Sequence, residues 1–161
     1  MRNVKNLFIA LLFTPIFFSC KKSSSSSNNN NNNTTGSTMS ATIDGSAWSA
    51  TTVQGNKSTA NPVVLSVAGT GNGNQINIAI PNYNGAGTYS FSTNMGMSVT
   101  YVNLSNPTST YSANAVQGSG SITISSDVNG VVEGSFNLTV VPTMGGGSSK
   151  SISGGSFRLV L

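Results

Sequence analysis

Ser121-Ile122-Thr123-Ile124-Ser125-Ser126-Asp127-Val128-Asn129-Gly130-Val131-Val132-Glu133-Gly134-Ser135-Phe136-Asn137-Leu138-Thr139-Val140 contains most of what decides the fold. Ile122 and Ile124 alternate with Thr123 and Ser125. Val132, Phe136, Leu138 and Val140 point one way and leave Glu133, Ser135, Asn137 and Thr139 on the other. A period of two marks strands with one buried and one wet face. Between the two runs sits Asn129-Gly130, a pair that readily adopts the positive φ of a tight hairpin turn.

The same grammar extends in both directions. Val63, Leu65 and Val67 share a face, and Ile76, Ile78 and Ile80 alternate with Asn77 and Ala79. Tyr89 and Phe91 alternate with serines, and Phe157, Leu159 and Leu161 with Arg158 and Val160. Turn pairs separate the runs: Asp44-Gly45, Gly71-Asn72-Gly73-Asn74, Asn84-Gly85 and Gly145-Gly146-Gly147. No segment carries the i, i+3, i+4 spacing of an amphipathic helix. The expectation is an all-β domain over 39–161, an antiparallel β-sandwich or barrel-like fold of about eight or nine strands. A body of roughly 120 residues buries about two-thirds of its surface, enough for one core without metal or disulfide help.

Composition narrows the chemistry. Among 161 residues there are seven Lys/Arg, three Asp/Glu, one Cys and no His. A His-dependent triad, an imidazole shuttle, an intramolecular disulfide and a thiolate metal cage are all excluded. The net charge of +4 comes from the N-terminus, where Arg2, Lys5, Lys21 and Lys22 lie. From Met39 onward Lys57, Lys150 and Arg158 balance Asp44, Asp127 and Glu133. Three scattered cations are not the basic face that neutralises several phosphates, so nucleic acid is not an expected partner.

The N-terminus reads as an address and an anchor. Met1–Asn6 is positive, Leu7–Phe18 is an apolar run of 12 residues broken by Thr14 and Pro15, and Ser19-Cys20 follows. That is the pattern of a secretory signal over residues 1–19, too short to span a bilayer core of about 20 residues. Phe17-Phe18-Ser19-Cys20 resembles the lipobox of bacterial lipoproteins, in which the Cys is acylated and becomes the first residue. Ser19 and Cys20 fit that box; Phe17 and Phe18 stand where Leu and a small residue are usual. Two or more acyl chains, at about 0.8 kcal/mol per buried CH₂, hold a protein firmly to a membrane. Lys21–Thr38, with its pentaserine and hexa-asparagine, has no apolar side chain to bury and reads as a tether. Its 16 residues from Ser23 to Thr38 reach roughly 20–25 Å if Gaussian.

Three phrases look familiar: Ala41-Thr42-Ile43-Asp44-Gly45-Ser46-Ala47-Trp48, Ile80-Pro81-Asn82-Tyr83-Asn84-Gly85-Ala86-Gly87-Thr88-Tyr89, and Ser151-Ile152-Ser153-Gly154-Gly155-Ser156-Phe157. They resemble a Bacteroidetes family of small secreted β-rich lipoproteins classed as a domain of unknown function. The resemblance covers Met39–Leu161 and implies the fold and an outer-membrane location, but no mechanism. In lipoproteins of that group acidic residues after the Cys resemble a surface-export signal. Lys21-Lys22-Ser23 lacks them, which tilts the expectation toward the periplasmic face.

Candidate sites are few. A glycosidase needs two carboxylates flanking one bond, yet Asp44 sits in a hairpin turn, Asp127 begins another, and Glu133 lies on an outward face. Asp127-Val128-Asn129-Gly130 opens like a calcium loop but lacks the later ligands, and its plainer reading is an Asx-type turn. Serines abound, but a nucleophile needs an activating base, and nothing singles out Lys57 or Lys150 as one. No catalytic residue, cofactor or metal site is expected. Aromatic faces stack on sugar rings, so Trp48 and Tyr83 are the candidate ligand contacts; for Trp48, a place in the core is the stronger alternative. The expected function is a non-catalytic, lipid-anchored envelope module of structural or interaction role. Its alternative is a glycan- or ligand-binding accessory protein. The expected partners are the membrane, through the lipid at Cys20, and a glycan or another envelope protein.

Overall fold

The computed structural model describes residues 36–106, 108–144 and 146–161, so the signal segment, Cys20 and most of the tether lie outside the described residues. The described chain forms eleven strands: β1 (Thr38–Ile43), β2 (Ser46–Ser49), β3 (Thr52–Lys57), β4 (Val64–Gly71), β5 (Asn74–Pro81), β6 (Gly87–Ser90), β7 (Ser98–Asn103), β8 (Thr110–Asn114), β9 (Ser119–Val128), β10 (Val131–Pro142) and β11 (Lys150–Val160). No helix is present among the described residues, and every strand pair is antiparallel.

Nine strands run in the order β2-β1-β11-β10-β8-β7-β5-β4-β3 and curl into a half-barrel, with β9 lying along β10 and β6 along β9. The opening stretch of sequence is the β9–β10 hairpin, paired from Val131↔Val128 to Thr139↔Ser119 with a one-residue register shift between Glu133 and Gly134. Its turn residues Asn129 and Gly130 have φ of 53° and 75°, both in the left-handed region a two-residue hairpin of this hand requires.

The segments outnumber the eight or nine alternating runs because two runs are cut at corners. β8 and β9 both pair antiparallel with β10, through Ser112↔Val141 and Ser119↔Thr139. The chain therefore follows one edge of β10 and loops out only between Asn114 and Ser119. Likewise β2 and β3 are separated only by Ala50 and Thr51. Ala50 N–H donates to Met39 O on β1 at 2.9 Å, and Thr51 N–H to Thr70 O on β4 at 2.8 Å. The two ends of the nine-strand path are thus consecutive in the chain, and one bent strand carries the ladder from β1 to β4.

The inward residues of all these strands meet in one core, which holds Leu65, Ile76, Ile78, Ile80, Val99, Ile122, Ile124, Val132, Phe136, Val140, Phe157 and Leu159. Val63 and Leu161, expected on buried faces, form its half-buried rim. The alternation of β10 skips at Gly134 for a packing reason. A Cβ at Gly134 would lie 2.8 Å from the Phe157 ring, and one at Gly155 only 2.3 Å from the Phe136 ring. Gly134 pairs with Phe157 and Phe136 with Gly155, so each strand places a phenyl ring over the other's glycine.

Candidate functional site

All six charged side chains of the described residues are paired across the fold. Lys57 Nζ donates to both carboxylate oxygens of Asp127 at 2.9 Å, Lys150 Nζ to Asp44 Oδ2 at 2.8 Å, and Arg158 Nε lies 3.4 Å from Glu133 Oε1. Asp127 does not serve its own turn, as the Asx-type reading expected. Its carboxylate reaches across to Lys57 on β3 and also accepts the Tyr83 hydroxyl at 3.1 Å. No group of three His, Cys, Asp or Glu lies together among the described residues to hold a metal ion.

Tyr83 and Trp48 are far apart in role, and neither ring is the exposed platform that sugar stacking needs. Tyr83 is 6 % exposed: its ring stacks on Tyr89 at 5.7 Å, its N–H donates to Val63 O, and burial followed by Asp127 pushes its phenol pKa up. Tyr89 in turn donates its hydroxyl to Gly85 O and accepts Asn84 N–H, which folds the 81–87 loop onto the body. Trp48 is 4 % exposed and donates its indole N–H to Gly71 O at 2.8 Å. For Trp48 the core is the stronger expectation, and Tyr83 packs on Tyr89 and bonds Asp127.

Trp48 nevertheless walls a cleft of about 270 Å³ together with Ile43, Asp44, Ser46, Asn72, Asn74, Tyr101 and Lys150. Two hairpin tips flank it. Asp44-Gly45 (φ 47° and 82°) turns β1 into β2, and Asn72-Gly73 (φ 49° and 70°) turns β4 into β5. Inward-facing Ile43, Trp48 and Tyr101 line it, so it opens at one end of the half-barrel. Asp44 Oδ1 accepts Ser151 N–H at 2.9 Å while Oδ2 accepts Lys150, so the carboxylate is oriented from two sides. Lys150 Nζ also sits 5.2 Å from the centroid of the Tyr111 ring, whose neighbour is Tyr101 at 5.8 Å.

Three of the groups with displaced pKa values meet here. Lys150 and Ser151 hold the Asp44 carboxyl below its ordinary 3.8, and Asp44 lifts the Lys150 ammonium above 10.5. Burial raises the Tyr101 phenol above 10.0. A carboxylate with a lowered folded pKa contributes stability above its unfolded pKa that is lost as pH falls through the folded one. A lysine or tyrosine with a raised folded pKa contributes stability below its unfolded pKa that is lost as pH rises through the folded one. Thermal melts should therefore be flat between about pH 5 and pH 9, falling below about pH 4 and above about pH 10. Asp44→Asn should soften the acid limb and cost under about 1 kcal/mol near neutrality, because the pair is solvent-exposed. A Tm that rises on the acid side would contradict the pairing.

A second concavity of about 340 Å³ crosses the outer face of β3, β4, β5 and β7, where Gln54, Asn56, Asn77 and Thr100 surround Ala68 and Ala79. It holds no ionisable side chain. Sequence reading found Asp44 and Asn72 as turn residues and Trp48 as an aromatic, but missed their meeting with Lys150 and Tyr101. Only the order of the strands in the sheet brings these tips together.

A family model for a domain of unknown function, DUF6252, matches residues 26–160. The chain belongs to that family. The match begins inside the Ser/Asn tract, and the DUF6252 domain so defined includes every strand of the half-barrel. Neither the curated proteins nor the solved structures hold a significant match to the chain.

Proposed function

We propose that this protein is a non-catalytic, lipid-anchored module of the cell envelope, exported by residues 1–19, acylated at Cys20 and held at the outer membrane by the lipid. Its DUF6252 domain serves a structural or interaction role at the end of the tether, on the periplasmic side.

One observation carries the non-catalytic part: every Lys, Arg, Asp and Glu of the described residues is engaged in an ion pair. General acid–base catalysis works best with a group whose pKa lies near the working pH. In the cleft the shifts run the other way, with Asp44 held as a carboxylate and Lys150 as an ammonium across the neutral range. The anchor rests on the sequence, a positive start, a short apolar core and Ser19-Cys20. Labelled palmitate fed to expressing bacteria tests it. Incorporation is expected into the full chain and lost in Cys20→Ser, which should also leave the membrane fraction. An unlabelled wild-type chain, or one whose mature N-terminus is not Cys20, would overturn the anchor.

A further inference from the structure

We infer that the cleft between the β1–β2 and β4–β5 hairpin tips binds one ring of a neutral saccharide, with Asp44 and Lys150 as its polar centre. The inference goes beyond the envelope role, which would stand without it.

The pair offers an acceptor and a donor side by side, 2.8 Å apart, with side chains 45 % and 27 % exposed for Asp44 and Lys150. Asp44 has about four lone-pair positions, of which Ser151 and Lys150 occupy two. Lys150 has three donors and spends one on Asp44. Hydroxyls on adjacent ring carbons match this arrangement: one donates to the carboxylate and its neighbour accepts from the ammonium. The Asn72 side-chain amide and the Ser46 hydroxyl line the same space and make no hydrogen bond among the described residues. Trp48 and Tyr101, both almost wholly buried, close the cleft on its inner side, as in sites that pair apolar walls with a few placed polar groups.

Charge selects against other ligands. Asp44 and Lys150 already neutralise each other, so the cleft gives an anion or a cation no net charge to offset its desolvation. An uncharged polyhydroxyl ligand adds hydrogen bonds without breaking the ion pair. The volume of about 270 Å³ lies just below the roughly 300–1,000 Å³ of ordinary ligand pockets, which suits one ring rather than a wrapped chain.

The test is a titration of the full-length, isotope-labelled protein with a panel of neutral hexoses, N-acetylhexosamines and their disaccharides, followed by amide NMR shifts. Saturable shifts are expected at Asp44, Gly45, Asn72 and Gly73. Affinity should fall at least tenfold in Asp44→Asn and in Lys150→Met. Both variants keep the fold: Asn-Gly makes the same turn as Asp-Gly, and Met keeps an apolar stem over Tyr111. Asn77→Ala, in the outer-face groove, should leave affinity unchanged. The inference fails if no saccharide shifts these amides, if only charged sugars do, or if the loss tracks Asn77 instead. Saccharide turnover would leave the binding intact and overturn the non-catalytic reading, so the two failures are separable.

Discussion

Deleting Phe157–Leu161 should leave a chain with no cooperative thermal transition. β11 is not an edge: it pairs with β1 from Thr38↔Arg158 to Ile43↔Ile152 and with β10 from Val131↔Val160 to Val140↔Lys150. Removing its last residues takes part of the ladder from both neighbours at once, Arg158 and Phe157 against β1 and Val160 to Phe157 against β10. The deletion also empties the core of Phe157 and Leu159, each buried to within a few per cent. Truncating one such Phe costs about 3–5 kcal/mol and one such Leu about 2–5 kcal/mol. Together these rival the entire 5–15 kcal/mol that holds an ordinary domain. Four ties to the rest of the chain go with them: Arg158 to Gly36 O, Arg158 to Glu133, Val160 N–H to Ser37 Oγ, and Leu161 N–H to Gly130 O. Leu159 in addition reaches the opposite wall, where a Cβ on Gly55 of β3 would lie 2.8 Å from its methyl. Circular dichroism melts of the full and shortened chains decide the matter. A truncated protein that melts like the full one would mean that β11 ends before Phe157.

The strands were legible because each is a local pattern. Ile76, Ile78 and Ile80 announce one buried face without reference to any other strand, and the Asp-Gly and Asn-Gly pairs announce their turns just as locally. What escaped reading was everything set by strand order. Nothing in the neighbourhood of Lys57 says that it will meet Asp127, since the pair depends on β3 and β9 being brought together across the curl. The cleft escaped for the same reason: Asp44, Asn72, Tyr101 and Lys150 come from four parts of the chain. A lone Trp after a turn is chemically suited to be a platform, but the core is the stronger reading for Trp48. Its indole N–H finds the Gly71 carbonyl, which satisfies the one polar atom that burial would otherwise penalise. The corners at Ala50 and near Asn114 also went unread, although the period of two slips across the first, where inward Trp48 and Val53 lie five residues apart.

Gly155→Ala should destabilise the domain by about 1–2 kcal/mol, against the usual direction of that substitution in a strand. Gly155 is not among the glycines with positive φ, so its backbone accepts an alanine. On backbone entropy alone Ala at such a place should gain about 0.5–1 kcal/mol. Packing reverses the sign. The new methyl would stand 2.3 Å from two carbons of the Phe136 ring. That ring is almost wholly buried, and both the ring and the two strands are held by the core around them. Overpacking of a filled core costs about 1–3 kcal/mol, and the net loss after the entropy gain lowers the Tm by roughly 5 °C in a domain of this size. Phe136→Leu removes the clash along with part of the core. In that background Gly155→Ala should cost much less than in the wild type, a coupling of at least about 1 kcal/mol in a double-mutant cycle. The mirror pair predicts the same sign: Gly134→Ala should destabilise, because its methyl meets Phe157 and the Thr123 carbonyl at 2.8 Å. If Gly155→Ala raises the Tm instead, the phenyl ring is not over the glycine, and the packing that joins β10 to β11 is different from the one described.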